Sequence, residues 1–211
     1  MLEVNNLHVR RGDHEVLRGV SLQVARGERV ALHGPSGCGK TTLLLAIAGL
    51  VPVTRGHVVL DGHDVTGVPT HRRGVGVVFQ DNQLFPHFNV AENVAYSLRV
   101  AGIPKRERLQ RAAEWLTRVG LVGFDSRSVD ELSGGEAKRV ALVRTLMSSP
   151  SVVLLDEPLT GLDEVLHHQL LDDLRSLFDE LHTTVVVVTH DRAEGAALAH
   201  RSVEFAQLLR E

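Results

Sequence analysis

One cysteine, Cys38, stands among the 211 residues, so no internal disulfide can form and a reducing compartment is expected. Positive charge is not in excess: 23 Lys and Arg face 26 Asp and Glu, a formal net charge of −3. A generally nucleic-acid-binding surface, which needs a basic balance, is therefore not expected, although local patches stay open. Long apolar runs are missing too. The most apolar stretch, residues 43–53, is well short of the roughly 18 residues that span a bilayer. Met1 to Asn6 lack the basic and apolar regions of a secretory signal. Any link to a membrane is expected to run through a partner.

What is present is an ordinary globular balance, 43% hydrophobic and 23% charged, in a length that suits one domain with a small subdomain. The organising stretch is Gly34-Pro35-Ser36-Gly37-Cys38-Gly39-Lys40-Thr41-Thr42, which matches G-x-x-x-x-G-K-[ST]. An apolar strand pattern over residues 29–33 runs into it, and a helical pattern over 42–48 leaves it, which is the setting the motif needs. The glycines let successive backbone N–H groups turn inward, and the new helix adds its positive end. Lys40 supplies a cation for the β- and γ-phosphates, and the Thr41 hydroxyl can ligate Mg²⁺. The stretch predicts a nucleoside triphosphate site.

Residues 2–9 and 16–24 alternate apolar and polar, as half-buried antiparallel strands do. A strand over 58–60 closes at Asp61-Gly62, a hairpin signal, and another over 75–79 ends at Gln80. From Leu84 to about Val140 the pattern is helical. Asn89 with Glu92 predicts a capped helix running to about Ala101, and Gly102-Ile103-Pro104 breaks it. A second helix over 105–119 stops at Gly120. Then come a strand over 152–155, a helix over 163–181 and a strand over 184–188. These strands are apolar on both faces and separated by helices, so a parallel sheet with covered faces is expected.

Two further constellations carry chemistry. Asp156-Glu157 follows the strand over 152–155; a carboxylate at the carboxyl end of a parallel strand can hold Mg²⁺, and its neighbour can polarise a water. Ser133-Gly134-Gly135-Glu136 reads locally as a capping box. That does not explain two glycines in a first turn, each costing roughly 1 kcal/mol against Ala. They make sense if something must approach the backbone closely. A bare helix N-terminus with a hydroxyl is a second anion site, which suggests two copies sharing each nucleotide.

With these residues in place, the chain resembles the nucleotide-binding subunits of ATP-binding cassette (ABC) transporters over nearly its whole length. The motifs stand in family order: Walker A at 34–42, the Q-loop Gln80, the signature at 132–136, Walker B at 152–157, the D-loop at 159–163 and the switch histidine His190. The resemblance implies an α/β P-loop NTPase fold: a RecA-like core (about 1–83 and 141–211) with an antiparallel β subdomain and an inserted helical subdomain (about 84–140). It implies an ATPase using ATP and Mg²⁺, working as a homodimer or as a heterodimer with a similar ATPase. Gly34, Pro35, Ser36, Gly37, Cys38, Gly39, Lys40, Thr41 and Thr42 would hold the nucleotide. Thr41, Gln80 and Asp156 would hold the metal. Glu157, His190, Gln80 and Lys40 would carry hydrolysis, and Ser133, Gly134, Gly135 and Glu136 would meet the nucleotide of the second copy.

Residues 78–94 are similar to importer ATPases of the group serving maltose, polyamines, ferric iron, sulfate and thiamine. The resemblance implies a groove for a coupling helix, lined by Phe85, Phe88 and Tyr96; the other reading is that these aromatics only pack the subdomain. It further implies integral membrane permease subunits, a solute-binding protein and a peripheral place at the cytoplasmic face of the membrane. An exporter or lipoprotein-release ATPase is the alternative within the family. A soluble ABC ATPase acting on nucleic acid or ribosomes is the alternative outside transport.

Three positions depart from the family pattern. Arg11 occupies the place of an adenine-stacking aromatic, where a guanidinium could stack instead and select the base loosely. Glu136 ends the signature where glutamine is commonest. After Phe205 only six residues remain, so no C-terminal regulatory domain is expected.

Overall fold

The computed structural model describes residues 1–209; residues 210 and 211, which close the expected core segment, lie outside the described residues. Strands β1 (Leu2–Arg11), β2 (His14–Val24), β4 (Arg55–Leu60) and β5 (His63–Asp64) form an antiparallel sheet of order β2-β1-β4-β5. The alternation in β1 places Leu2, Val4, Leu7 and Val9 on its buried face. The hairpin at Asp61-Gly62 pairs Leu60 with His63, as its turn chemistry predicts.

The second sheet is parallel, of order β6-β7-β8-β3-β9. It comprises β3 (Arg29–His33), β6 (Val75–Val78), β7 (Val152–Asp156), β8 (Val185–Val188) and β9 (Arg201–Glu204). All residues of β3, β7 and β8 are buried, as expected of strands covered on both sides. Helix α1 (Lys40–Ala48) fills the space between the two sheets, burying Leu43, Leu44, Ala46, Ile47 and Ala48 among β1, β2, β3 and β4 residues. The opposite face packs against α5 (Gly134–Leu146), α6 (Glu164–Leu181) and α7 (Arg192–Leu198).

Helices α2 (Val90–Val94), α3 (Tyr96–Val100) and α4 (Lys105–Arg118) stand between β6 and α5 in sequence. The capping box of Asn89 and Glu92 is present. The single helix expected from there to Ala101 is two: Ala95, at φ −77° and ψ 1°, turns the chain. That turn accompanies the packing of Tyr96 on Phe85, ring centroids 4.6 Å apart. Fully buried Asn93 fixes the approach to it, accepting from the Phe85 amide and donating to the carbonyls of Phe85, Phe88 and Asn89. Helix α5 runs unbroken through residue 140, so the expected segment boundary falls inside it. Strand β9 had no expectation attached to it.

The C-terminus of α1 is closed by Gly49, left-handed at φ +79°, and by the buried Arg73. Its guanidinium donates to the carbonyls of Ala46, Ile47, Thr66 and Val68 at 2.6 to 3.1 Å. These include carbonyls that a helix end leaves unpartnered. Arg73→Ala leaves the carbonyls of Ile47, Thr66 and Val68 without that donor, while Ala46 O keeps the Gly49 amide, so urea unfolding should show a loss of about 2–4 kcal/mol. An unchanged midpoint would contradict that role.

Candidate nucleotide-binding site

β3 delivers the chain to the loop of residues 34–39, and α1 leaves it. Gly39, the residue before the helix, has φ +109°, and a Cβ there would come 2.8 Å from Leu17 Cδ2 of β2. Glycine is therefore required both by conformation and by space. Lys40, buried in the first turn, donates its Nζ protons to the carbonyls of Gly34 (2.7 Å) and Pro35 (3.0 Å) and lies 3.9 Å from Cys38 Sγ. Its charge is thus held over the loop by neutral acceptors, which an anion can displace.

The next helix residue reaches across to the neighbouring strand. Thr41 Oγ1 donates to Asp156 Oδ1 at 3.1 Å, joining the two residues expected to share a metal. Burial pushes the Asp156 carboxyl above the usual range; the Thr41 hydrogen bond opposes this, neighbouring Glu157 adds to it and Lys40 lowers it. A carboxylate that ionises at such cost is suited to a cation beside it. Glu157 has φ +49°, a left-handed conformation uncommon for a side-chain-bearing residue, and its amide donates to Val188 O. That conformation presents its Oε2 to Thr160 Oγ1 (3.1 Å) and to His190 Nδ1 (2.6 Å). The expected pair Glu157 and His190 is therefore in direct contact.

A cleft of about 420 Å³ opens over these groups. The loop and α1 line it with Ser36, Gly37, Gly39, Lys40, Thr41 and Thr42, the ends of β6 and β7 with Gln80, Asp156 and Glu157, and the end of β1 with Arg11. Gly34, Pro35 and Cys38 belong to the loop but do not line the cleft. Val16 and Val188 line it without having been singled out. Val16 comes from β2, which the turn at Gly12-Asp13 folds back beside the strand that ends at Arg11.

Ser133, Gly134, Gly135 and Glu136 are not brought to this cleft. They open α5 with a complete capping box, Glu136 N donating to Ser133 Oγ and Ser133 N to Glu136 Oε2. A Cβ on Gly134 or Gly135 would meet nothing nearer than Leu162 at 3.7 Å or Leu166 at 3.8 Å. Packing within the chain would accept alanine at both places. Phe85, Phe88 and Tyr96 do converge, with centroids 4.6 to 6.0 Å apart, and Arg144 and Arg99 lie over the rings of Phe85 and Phe88.

Behind Glu157 the structure adds groups that were not anticipated. Asp191 and Glu194 have the spacing of a capping box, and Asp191 does cap α7 by accepting from Ala193 N and Glu194 N. Glu194 instead turns inward, only 3% exposed, and accepts from Thr189 Oγ1 at 2.8 Å. Burial pushes its carboxyl from 4.5 up to about 7. An acid so shifted loses stability as pH rises between those two values, because the unfolded chain ionises first. Glu194→Gln keeps an acceptor for Thr189 and removes the penalty. It should be more stable than wild type by about 3 kcal/mol at pH 8, with the gap closing toward pH 5, in denaturant titrations. A gap that does not change with pH would contradict this.

Comparison with known proteins gives a consistent picture. A family model described as ABC transporter matches residues 17–160. The Fe(3+) ions import ATP-binding protein FbpC of Streptomyces coelicolor is 51% identical over 96% of this chain and 58% of its own length. The spermidine/putrescine import ATP-binding protein PotA of Rubrobacter xylanophilus is 46% identical over 95% and 53%. The chain thus spans less than two thirds of the length of these relatives. Among solved structures, the ATP-binding cassette MJ0796, a dimer in a post-hydrolysis state bound to ADP and Pi, superposes with a TM-score of 0.83. It is 32% identical, covering 97% of this chain and 94% of that one.

Proposed function

The chain belongs to the ABC transporter family, and we propose that it is the ATP-binding and ATP-hydrolysing subunit of an importer that draws a small solute through separate membrane subunits. The observation that carries this reading is the convergence at one cleft of Lys40, the Thr41–Asp156 pair and the Glu157–His190 pair. The names of the similar import proteins support uptake, and make ferric iron the first solute to test.

Nucleotide phosphates would enter over the loop N–H groups and the N-terminus of α1, taking Lys40 from the carbonyls of Gly34 and Pro35. Arg11 and Val16, from the hairpin of β1 and β2, would face the base. The donor set fits Mg²⁺: a hydroxyl and a buried carboxylate already joined, with Gln80 lining the same cleft. Bound there, the ion would neutralise charge on the phosphate oxygens. Glu157 orients the attacking water for in-line displacement, and His190, hydrogen-bonded to it, faces the γ-phosphate and holds that carboxylate in place.

The second anion site, Ser133 to Glu136, would complete the cleft of another copy, since no described residue of this chain calls for its glycines. We assign residues 84–140 to a helical subdomain that moves with nucleotide state against the core (1–83 and 141–211). The Phe85–Phe88–Tyr96 cluster would meet a coupling element of the permease there, with a solute-binding protein delivering cargo. Among the described residues no helix is long and apolar enough to cross a membrane; the permease would hold the subunit at the cytoplasmic face.

Purified chain, or its complex with permease, should hydrolyse ATP with Mg²⁺. Glu157→Gln should keep ATP binding, lose turnover and accumulate an ATP-dependent dimer by light scattering. Gly135→Ala should unfold within about 0.5 kcal/mol of wild type and yet lose turnover. Near-normal turnover in either variant would contradict the assignment.

A further inference from the structure

The hydrolytic reading leaves unused a pair of buried, oppositely charged side chains behind the cleft. Lys138, in the first half of α5, is 7% exposed, and its Nζ has no hydrogen-bond partner among the described residues. Glu194 of α7 has its Oε2 bound to Thr189, but its Oε1 is also without a partner. The carboxylates that act on Lys138 are Glu194 first and Glu157 second. A buried ammonium left unbonded is costly, and a Met or Leu in its place would avoid that cost. What the cost sustains is visible in the neighbouring hydrogen bonds. Asp191 N donates to Thr189 Oγ1 at 3.0 Å, and Thr189 Oγ1 donates in turn to Glu194 Oε2. His190 is the residue enclosed by that pair of bonds.

We propose that Glu194 is a positioning residue for hydrolysis, holding through Thr189 the turn that carries His190, and that the buried Lys138 of the helix opened by Ser133 is its countercharge. The inference rests on the reading of Glu157 and His190 as the hydrolytic pair. Ionised Glu194 can only accept, so the Thr189 hydroxyl donates to it and that oxygen's lone pair is directed at the Asp191 amide. Protonated Glu194 offers its own O–H to the same oxygen, and the turn loses its directed chain of bonds. Lys138 favours the ionised form and, through α5, makes it depend on where the signature helix stands.

The other groups around Glu194 do not replace Lys138. Burial, Glu157 at the end of β7 and Asp191 on the turn oppose its ionisation, and His190 favours it. From β3, His33 lies against Gly195 and 3.2 Å from Thr189 O, so it meets the backbone of the turn. From α6, Glu164, His167 and His168 border the same outer cleft as Glu194 and Asp191. On the β9 side, Glu204 is taken by Arg192.

The test is the pH profile of steady-state ATP hydrolysis by wild type, Glu194→Gln and Lys138→Met, from about pH 5.5 to 8.5. Wild-type kcat should fall on the acid side with a midpoint near Glu194's value of about 7. Glu194→Gln, which keeps an acceptor for Thr189, should lose that limb, with kcat across the range and KM for ATP within about twofold of the wild-type values at high pH. Lys138→Met should move the limb to higher pH. In parallel, carbon NMR of the glutamate carboxyls in the nucleotide-free chain should show one group titrating near neutrality, absent in Glu194→Gln and shifted upward in Lys138→Met, with the Asp191 amide following it. Profiles and resonances that match wild type in both variants overturn the pair. A wild-type chain that hydrolyses no ATP would sink the functional reading alone, and the carboxyl titration would still decide the charge pair. A purely structural role would change stability without moving the limb or the Asp191 resonance.

Discussion

Register across three buried strands holds the site together. Leu32 of β3 and Asp156 of β7 both pair with Val188 of β8, so the chain leaves three neighbouring strands at one level. The phosphate loop, Glu157 and His190 follow within two residues of that level, at the carboxyl ends where open α/β sheets bind ligands. The register is itself secured by burial on both faces: α1 and the antiparallel sheet on one side, α5, α6 and α7 on the other. Sliding one strand would cost the packing of both layers and would separate Thr41 from Asp156 as well as Glu157 from His190.

That rigid frame allows the site to contain groups which are unfavourable on their own terms. Glu157 holds a left-handed backbone, Asp156 and Glu194 carry carboxyls raised by burial, and the Lys138 ammonium is lowered by burial without a bond. Each would be relieved by an ordinary core substitution, and they cluster behind a single cleft. Where several such departures meet at one cleft, function rather than stability is the consistent account of the residues.

Much of this was legible from pattern. The phosphate loop, the parallel sheet and the capping boxes at Asn89 and Ser133 depend on local spacing, which a sequence displays directly. What escaped depends on contacts between distant segments. β9, Arg-Ser-Val-Glu, has no period to announce it and is a strand because β3 offers it an edge. The turn at Ala95 has no breaker residue and goes with the packing of Tyr96 on Phe85. Asp191 and Glu194 have the spacing of a local cap, and only the fold shows that Glu194 is turned to Thr189 instead. Val16 joins the cleft because β2 returns beside the loop.

The cleft holds the groups proposed to bind phosphate, metal and water but not Ser133, Gly134 and Gly135, and no described residue requires the small size of the two glycines. A site divided between two copies accounts for both facts. The most direct measurement mixes two inactive variants, Lys40→Ala and Gly135→Ala, and assays ATP hydrolysis. In a mixed dimer one cleft pairs an intact loop with an intact signature, so turnover should appear that neither variant has alone. A mixture no more active than its separate components, with mixed dimers shown to form, would contradict the shared site.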